Sequence, residues 1–325
     1  MSRRHPFLLT TLFFLSTLSH NSTRAETDWV SVVWQNDIFA GSDGGGYTNG
    51  VFISLYDLST EGNTTYGAPF LAKALGWMLN KESGLRFSEQ VLGQVMVTPL
   101  DISRSVPDPN DAPYAGLLFY RASDTVVKDH FADMVSTTIG LVGPDSGAER
   151  AQKWVHEVTG SENPQGWRYQ LRNEPVFALS RTGIWRHDLW HWADAVVIGK
   201  GQLGNLESAL TFGAVIRIGR GLSESYATTA LSYGRINSPV AVNHGWNVYL
   251  GANANYVANY IFVDGNSYRA SQSSDLKHHQ YNTMSGFSYS WTNVSLTFSY
   301  SSGTPIDKKE SARHSFGALS LAWRL

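Results

Sequence analysis

The chain has 325 residues, a formal net charge of −2, 13% aromatic residues and no cysteine. The missing cysteines exclude disulfides, thiolate metal sites and a cysteine nucleophile. The near-neutral balance, with no basic patch, gives nucleic acid no electrostatic footprint, so none is expected as a partner.

The first element is a targeting segment. Arg3 and Arg4 precede the apolar stretch Phe7 to Leu18, and Thr23-Arg24-Ala25 offers a small-residue cleavage site. Cleavage is expected after Ala25, leaving 26–325 as one exported domain behind a 1–25 signal peptide. No later run reaches the roughly 18 apolar residues of a membrane-spanning helix. A mean hydropathy of −0.21 excludes a helical membrane bundle but allows a barrel with a polar lumen. The 11 Trp and 15 Tyr suit aromatic girdles at two membrane interfaces.

Alternation of period two then recurs along the chain. From Leu206 to Gly219, Leu210, Phe212, Ile216 and Ile218 share one face, while Glu207, Thr211, Gly213 and Arg217 share the other. Predicted strands are 28–38, 48–58, 86–98, 114–124, 131–142, 174–186, 191–202, 206–219, 246–260, 280–291, 293–302 and 314–325. That is an even set of twelve, as a single-chain bacterial barrel needs. The expected fold is all-β: a twelve-stranded antiparallel transmembrane β-barrel with a short helix in an outer loop. Two segments break the strand pattern. Pro69 to Leu79 reads as a short linker helix. Gly147 to Val158 reads as the outer-loop helix, with Ser146 placed to cap it and Gly160 just past its end. The stretch 220–245 is long and irregular. Gly44-Gly45-Gly46 lacks the following helix of a phosphate loop and reads as a hairpin tip.

Both termini of an even-stranded barrel lie on one side, taken as periplasmic. The connections 39–47, 99–113, 143–173, 203–205, 261–279 and 303–313 then face outward. Asn36-Asp37 at the end of the first strand, Thr48 at the start of the second, and the outer-loop helix therefore share one rim. On that helix Gln152 and His156 are spaced i to i+4 and share a face. A histidine near carboxylates can activate water as a general base. By itself, His156 reads more simply as a solvated loop residue, and Asp37 as a turn residue favoured by local hydrogen bonds. Asp37 could also be an oxygen ligand for a hard cation. His187 and His191 lack the glutamate of a zinc-binding helix, and no serine sits in a nucleophile elbow.

Several segments together resemble the LpxR-type lipid A deacylases, which are outer-membrane barrels of Gram-negative bacteria. They are Asn36-Asp37-Ile38-Phe39-Ala40-Gly41, Tyr47-Thr48-Asn49-Gly50, Pro113-Tyr114-Ala115-Gly116, and Val142-Gly143-Pro144 through His156. Gln94 with Thr98-Pro99, and Gly166-Trp167 through Asn173-Glu174-Pro175, fit the same pattern. The likeness is close over about 28–180 and reduces to barrel character afterwards.

The resemblance implies a hydrolase that removes the ester-linked 3′-acyloxyacyl group of lipid A, with a divalent cation, thought to be calcium. It implies a site at the extracellular rim between wall and helix. His156 matches the water-activating base; Asn36, Thr48 and Gln152 match active-site residues; Asp37 and Glu162 would hold the cation. Lipopolysaccharide and outer-membrane lipids are the implied partners, and a monomer is expected. One departure stands out. Where the family carries basic residues after the Thr-Pro turn, this loop reads DISRSVPDPND, with Arg104 among Asp101, Asp108 and Asp111. The alternatives are a non-enzymatic barrel, whether pore or structural surface protein, and an outer-membrane phospholipase.

Overall fold

The computed structural model describes residues 27–37, 39, 46–59, 67–79, 84–159, 162–222, 245–309 and 313–325. The expected signal peptide, most of the glycine tip, Gly160 and nearly all of the irregular 220–245 stretch lie outside the described residues.

Twelve antiparallel strands form a closed barrel, each paired with its sequence neighbours, and the first pairs with the last. They are β1 (Trp29–Asn36), β2 (Gly46–Ser59), β3 (Leu85–Thr98), β4 (Ala115–Lys128), β5 (Phe131–Val142) and β6 (Glu174–Trp190). There follow β7 (Ala193–Leu203), β8 (Glu207–Arg220), β9 (Gly245–Tyr260), β10 (His279–Ser290), β11 (Val294–Gly303) and β12 (His314–Arg324). Closure runs from Trp29 opposite Arg324 to Asn36 opposite Gly317, so no sheet edge is left open. Every predicted strand is present.

Alternation decides which side chains enter the barrel. On β6, Val176, Ala178, Ser180, Thr182 and Ile184 are buried, while Phe177, Leu179 and Trp185 between them are exposed. The exposed set is the membrane-facing one. The inward set packs the lumen: Phe52, Leu117 and Phe119 join one apolar cluster, and Val196, Val215 and Tyr249 join a second. Charged groups that enter the lumen include a buried ion pair. Arg217 donates from Nε to Asp194 Oδ1 at 2.8 Å and from its terminal nitrogen to the other carboxylate oxygen, and both residues are buried.

Two strands run further than the sequence suggested. β4 was expected to stop at Asp124 but continues to Lys128, because Asp124 is paired with Arg86 on the neighbouring strand. β6 continues from Arg186 to Trp190. The β4–β5 turn has only two residues, and Asp129 takes φ 49°, a left-handed conformation that aspartate tolerates.

The predicted linker helix is shorter than expected. Only α1 (Phe70–Lys73) is helical; it lacks a side-chain cap, and a 3₁₀ turn over Gly76–Met78 follows. Glycine within so short a run favours the break. The outer-loop helix is α2 (Ala148–Thr159), as the sequence suggested. Ser146 caps it loosely: its hydroxyl donates to Gly143 O at 2.6 Å and lies 3.5 Å from the Ala148 N–H. Gly147, at φ +74°, makes the turn from the 3₁₀ segment Pro144–Ser146 into the helix. A last element, α3 (Ile261–Asp264), buries Ile261, Phe262 and Val263 in the first lumen cluster.

The connections at the loop end are tied to one another. Asn266 accepts from Arg172 N and donates back to Arg172 O, both at 2.9 Å. Gln272 Nε2 donates to Asp108 O at 2.8 Å and Asp111 O at 3.0 Å. The opposite, terminal end carries α1.

Candidate active site

The register across four strands assembles one face of the site. Asn36 pairs with Asn49, Asn49 with Met96, and Met96 with Gly116. Asn36 shares the face of Val32 and Trp34, both exposed, so the row lies on the outer surface of the wall, at the loop end. Asp37 follows directly.

Thr48 falls at a register shift. Tyr47 pairs with Val97 and Asn49 with Met96, which leaves Thr48 as the extra residue of a bulge. Bulges re-aim side chains and collect next to active sites. Asn49 itself lies in the outward row, two residues before exposed Val51. Asn49 is only 7% exposed, and its Oδ1 has no hydrogen-bond partner among the described residues. Buried polar atoms are mostly satisfied in folded proteins, so this oxygen has accepting capacity left for a water, a substrate group or a cation.

α2 lies across the outside of β3 and β4 beside this row. A Cβ at residue 116 would sit 2.3 Å from both Ala148 Cβ and Ser146 Oγ, so the close approach requires glycine there. Gln94 Nε2, also outward, donates to Ser146 O at 2.6 Å. Beneath the helix, Trp167 Nε1 donates to Gln152 Oε1 at 2.7 Å, and its ring packs on Tyr114 with centroids 5.0 Å apart. Gln152 is therefore buried, 3% exposed, and fixed by an indole.

His156 Nδ1 lies 2.5 Å from the main-chain oxygen of Glu162. A carbonyl can only accept, so Nδ1 carries the proton and Nε2 is the ring's acceptor nitrogen. Glu162 thus meets the site through its backbone, while the residue itself is exposed. Among the described residues no three His, Asp or Glu side chains gather as a metal-binding group. Asp37 and Glu162 are not part of an acidic cluster.

The loop after β3 spends its one arginine locally. Arg104 forms an ion pair with Asp108 at 3.1 Å. Hydrogen bonds from Ser103, foremost its hydroxyl, hold Asp101 below the usual carboxylate range, and the Asn110 backbone N–H does the same for Asp108. At the foot of this loop, burial pushes Tyr114 up to about 12, assisted by the charges of Asp101 and Asp111 and opposed by a backbone hydrogen bond to Gly166.

The sequence reading brought Asn36, Asp37, Thr48, Gln152 and His156 to one rim. It gave no role to Asn49, Trp167 or Gly116. Asn49-Gly50 reads as turn chemistry, and nothing local announces the bulge.

A family model for the outer membrane protein LpxR matches residues 7–325. LpxR from Salmonella typhimurium superposes with a TM-score of 0.73 at 15% identity, covering 91% of this chain and 100% of that one. The β-domain of the Bordetella autotransporter BrkA gives a TM-score of 0.45 at 12% identity, covering 93% of this chain and 99% of that domain. No curated protein sequence matches the chain. With nearly its whole length matched, this chain belongs to the LpxR family of outer-membrane β-barrel proteins.

Proposed function

We propose that the protein hydrolyses the ester holding the 3′-acyloxyacyl group of lipid A, at the extracellular rim of the outer membrane. The observation that carries this reading is where the polar row lies. Asn36, Asn49 and the α2 helix with His156 sit on the membrane-facing side of the wall, not in the lumen. A site there meets membrane lipids. A pore is less well supported, because Phe52, Leu117, Phe119 and the residues of α3 turn into the barrel and pack together.

The residues present fit a hard divalent cation. Asp37 offers a carboxylate, Asn36 an amide oxygen, and Asn49 a buried oxygen with no partner among the described residues; calcium accepts all three donor types. Asp37 and Asn49 would hold it from the wall, with Glu162 as a ligand from the loop. When bound, the cation would supply positive charge to an oxyanion.

The chain's own residues account for the proton transfers. Nε2 of His156 takes a proton from water as the water oxygen attacks the ester carbonyl. The Glu162 carbonyl, bound to Nδ1–H, favours the imidazolium that forms. The tetrahedral intermediate expels the sugar 3′-oxygen, which takes the proton from Nε2. The products are a free acyloxyacyl carboxylic acid and a sugar hydroxyl. Asn36 and Thr48 orient the ester, and Gln152, held by Trp167, keeps α2 in place.

The test is mass spectrometry of lipid A after incubation with the purified protein, in calcium or in chelator. The expected result is loss of the acyloxyacyl mass in calcium alone. Unchanged lipid A together with ion conductance in planar bilayers would support the pore instead. Cleavage of phospholipids but not lipid A would make it a phospholipase.

A further inference from the structure

The β2–β3 connection, at the terminal end, would ordinarily be a water-exposed turn. Its register-defined contacts place it elsewhere. Leu71 O accepts a hydrogen bond from Thr137 Oγ1 at 2.9 Å. Leu75, Met78 and Leu79 pack with Val126 and Val135. All three wall residues point outward. Thr137 pairs with Leu179 and Val135 with Arg181, on the face of exposed Phe177 and Trp185; Val126 pairs with Asp133 on that same face. The segment therefore lies against the outside of the barrel.

Its height follows from the strand geometry. Phe131 packs on Trp185 with centroids 5.1 Å apart, and Trp190 stacks on Trp192 in the adjoining turn, which marks the aromatic girdle of the terminal end. Thr137 lies six positions along β5 from Phe131. At about 3.3 Å per residue on a strand tilted about 40°, Leu71 stands about 15 Å above that girdle, inside an apolar band about 25 Å tall.

What the segment covers explains why it is there. Beneath and beside it, the outward wall carries Asp124, 1% exposed and paired with Arg86, and Asp133, 3% exposed and paired with Arg181 at 2.8 Å. Carboxylates on a lipid-facing wall are costly without such pairing and cover. The backbone of the segment is largely self-satisfied: Ala72 and Lys73 N–H donate to Pro69 O, Met78 N–H to Leu75 O, and Leu79 N–H to Gly76 O. Internal satisfaction of this kind is what a bilayer demands of any backbone within it. Its own outer surface is apolar and aromatic, with Phe70 84% and Trp77 74% exposed. Lys73, also exposed, has a stem long enough to snorkel toward headgroups.

We infer that residues 67–79 lie within the membrane leaflet on the terminal side, as a cover over a charged patch of the wall, with lipid acyl chains packed on Phe70 and Trp77. This surface is continuous with the lipid-facing band of the barrel, which is what identifies acyl chains as its occupant. The inference is independent of the catalytic reading, since no proposed active-site residue belongs to the segment.

The chain lacks cysteine, so single nitroxide labels can be placed without background. Phe70→Cys and Trp77→Cys variants in phospholipid vesicles are compared with two references. Leu250→Cys reports the lipid-facing wall of β9, and Tyr268→Cys reports the loop at the far end, both exposed positions. Collision rates with molecular oxygen and with a water-soluble nickel chelate are read by electron paramagnetic resonance. The expected oxygen-to-nickel ratios at 70 and 77 match Leu250→Cys and exceed Tyr268→Cys. Ratios like those of Tyr268→Cys place the segment in water and overturn the inference. Protection from both reagents means that protein covers it, and overturns the inference equally.

Discussion

α1 and α2 both lie on the outside of the barrel, α1 against β4 and β5 toward the terminal end and α2 over β3 and β4 at the loop end. They treat the polar groups near them differently. Beside α1, Asp124, Asp133 and Thr137 each have a partner: Arg86, Arg181 and Leu71 O. Beside α2, the Asn49 amide oxygen is buried with no partner among the described residues. The contacts differ as well. α1 and its 3₁₀ turn meet the wall through Leu75, Met78 and Leu79, whereas α2 comes down on Gly116 through Ala148, close to the backbone. Carboxylates paired under a cover are architecture. An unsatisfied oxygen beside a closely seated helix has the character of a binding site.

The sharpest way to break this contrast is at His156. His156→Ala should lower turnover about 10²- to 10⁴-fold, the range of a general base. The barrel should still show its folded, heat-modifiable band on gels. Turnover equal to wild type would remove α2 from the chemistry. Next in size is Gly116→Val. The added carbons would collide with Ala148 and Ser146 and lift the helix. A displacement of about 1 Å from productive geometry costs about 10²-fold in rate, measurable in the same mass-spectrometric assay.

On the α1 side the effects should appear in stability and leave catalysis untouched. Asp124→Ala strips a half-exposed Arg86 of its carboxylate and should cost about 1–3 kcal/mol in urea unfolding, with deacylation unchanged. If activity fell with stability intact, the two regions would not be separate. Trp167→Phe should be milder. It removes the N–H donor to Gln152 and should cost about 1 kcal/mol, read as faster proteolysis within 143–173.

The smallest effect concerns pH. Tyr114 has its folded value raised from 10.0 to about 12, so it contributes stability below pH 10 that is lost as pH rises through about 12. Tyr114→Phe should remove that alkaline loss, followed by Trp167 fluorescence, and leave behaviour near neutrality unchanged.

Much of the fold was legible because a membrane wall enforces strict alternation. Glu207 and Arg217 share one face by parity alone, and that face is the inward one. Parity failed where a second layer lies on the wall. Asp124 looked like the end of a strand, since a carboxylate facing lipid makes no sense without the Arg86 pair and the 67–79 cover. The rim was legible from strand order and His156 from its helix. The bulge was not, because a register shift depends on the partner strand, here the pairing of Met96 with Asn49. Trp167 was visible only as part of a motif. Its bond to Gln152 joins residues 15 apart through the fold of a loop.

The sideways placement of α2 carries a consequence for rate laws. If substrate reaches His156 only through the plane of the leaflet, the governing quantity is its mole fraction among neighbouring lipids. Diluting the vesicles with buffer should then leave the turnover of each enzyme unchanged. Diluting the substrate with inert lipid should slow it in proportion, and the freed fatty acid would partition back into the layer from which it came.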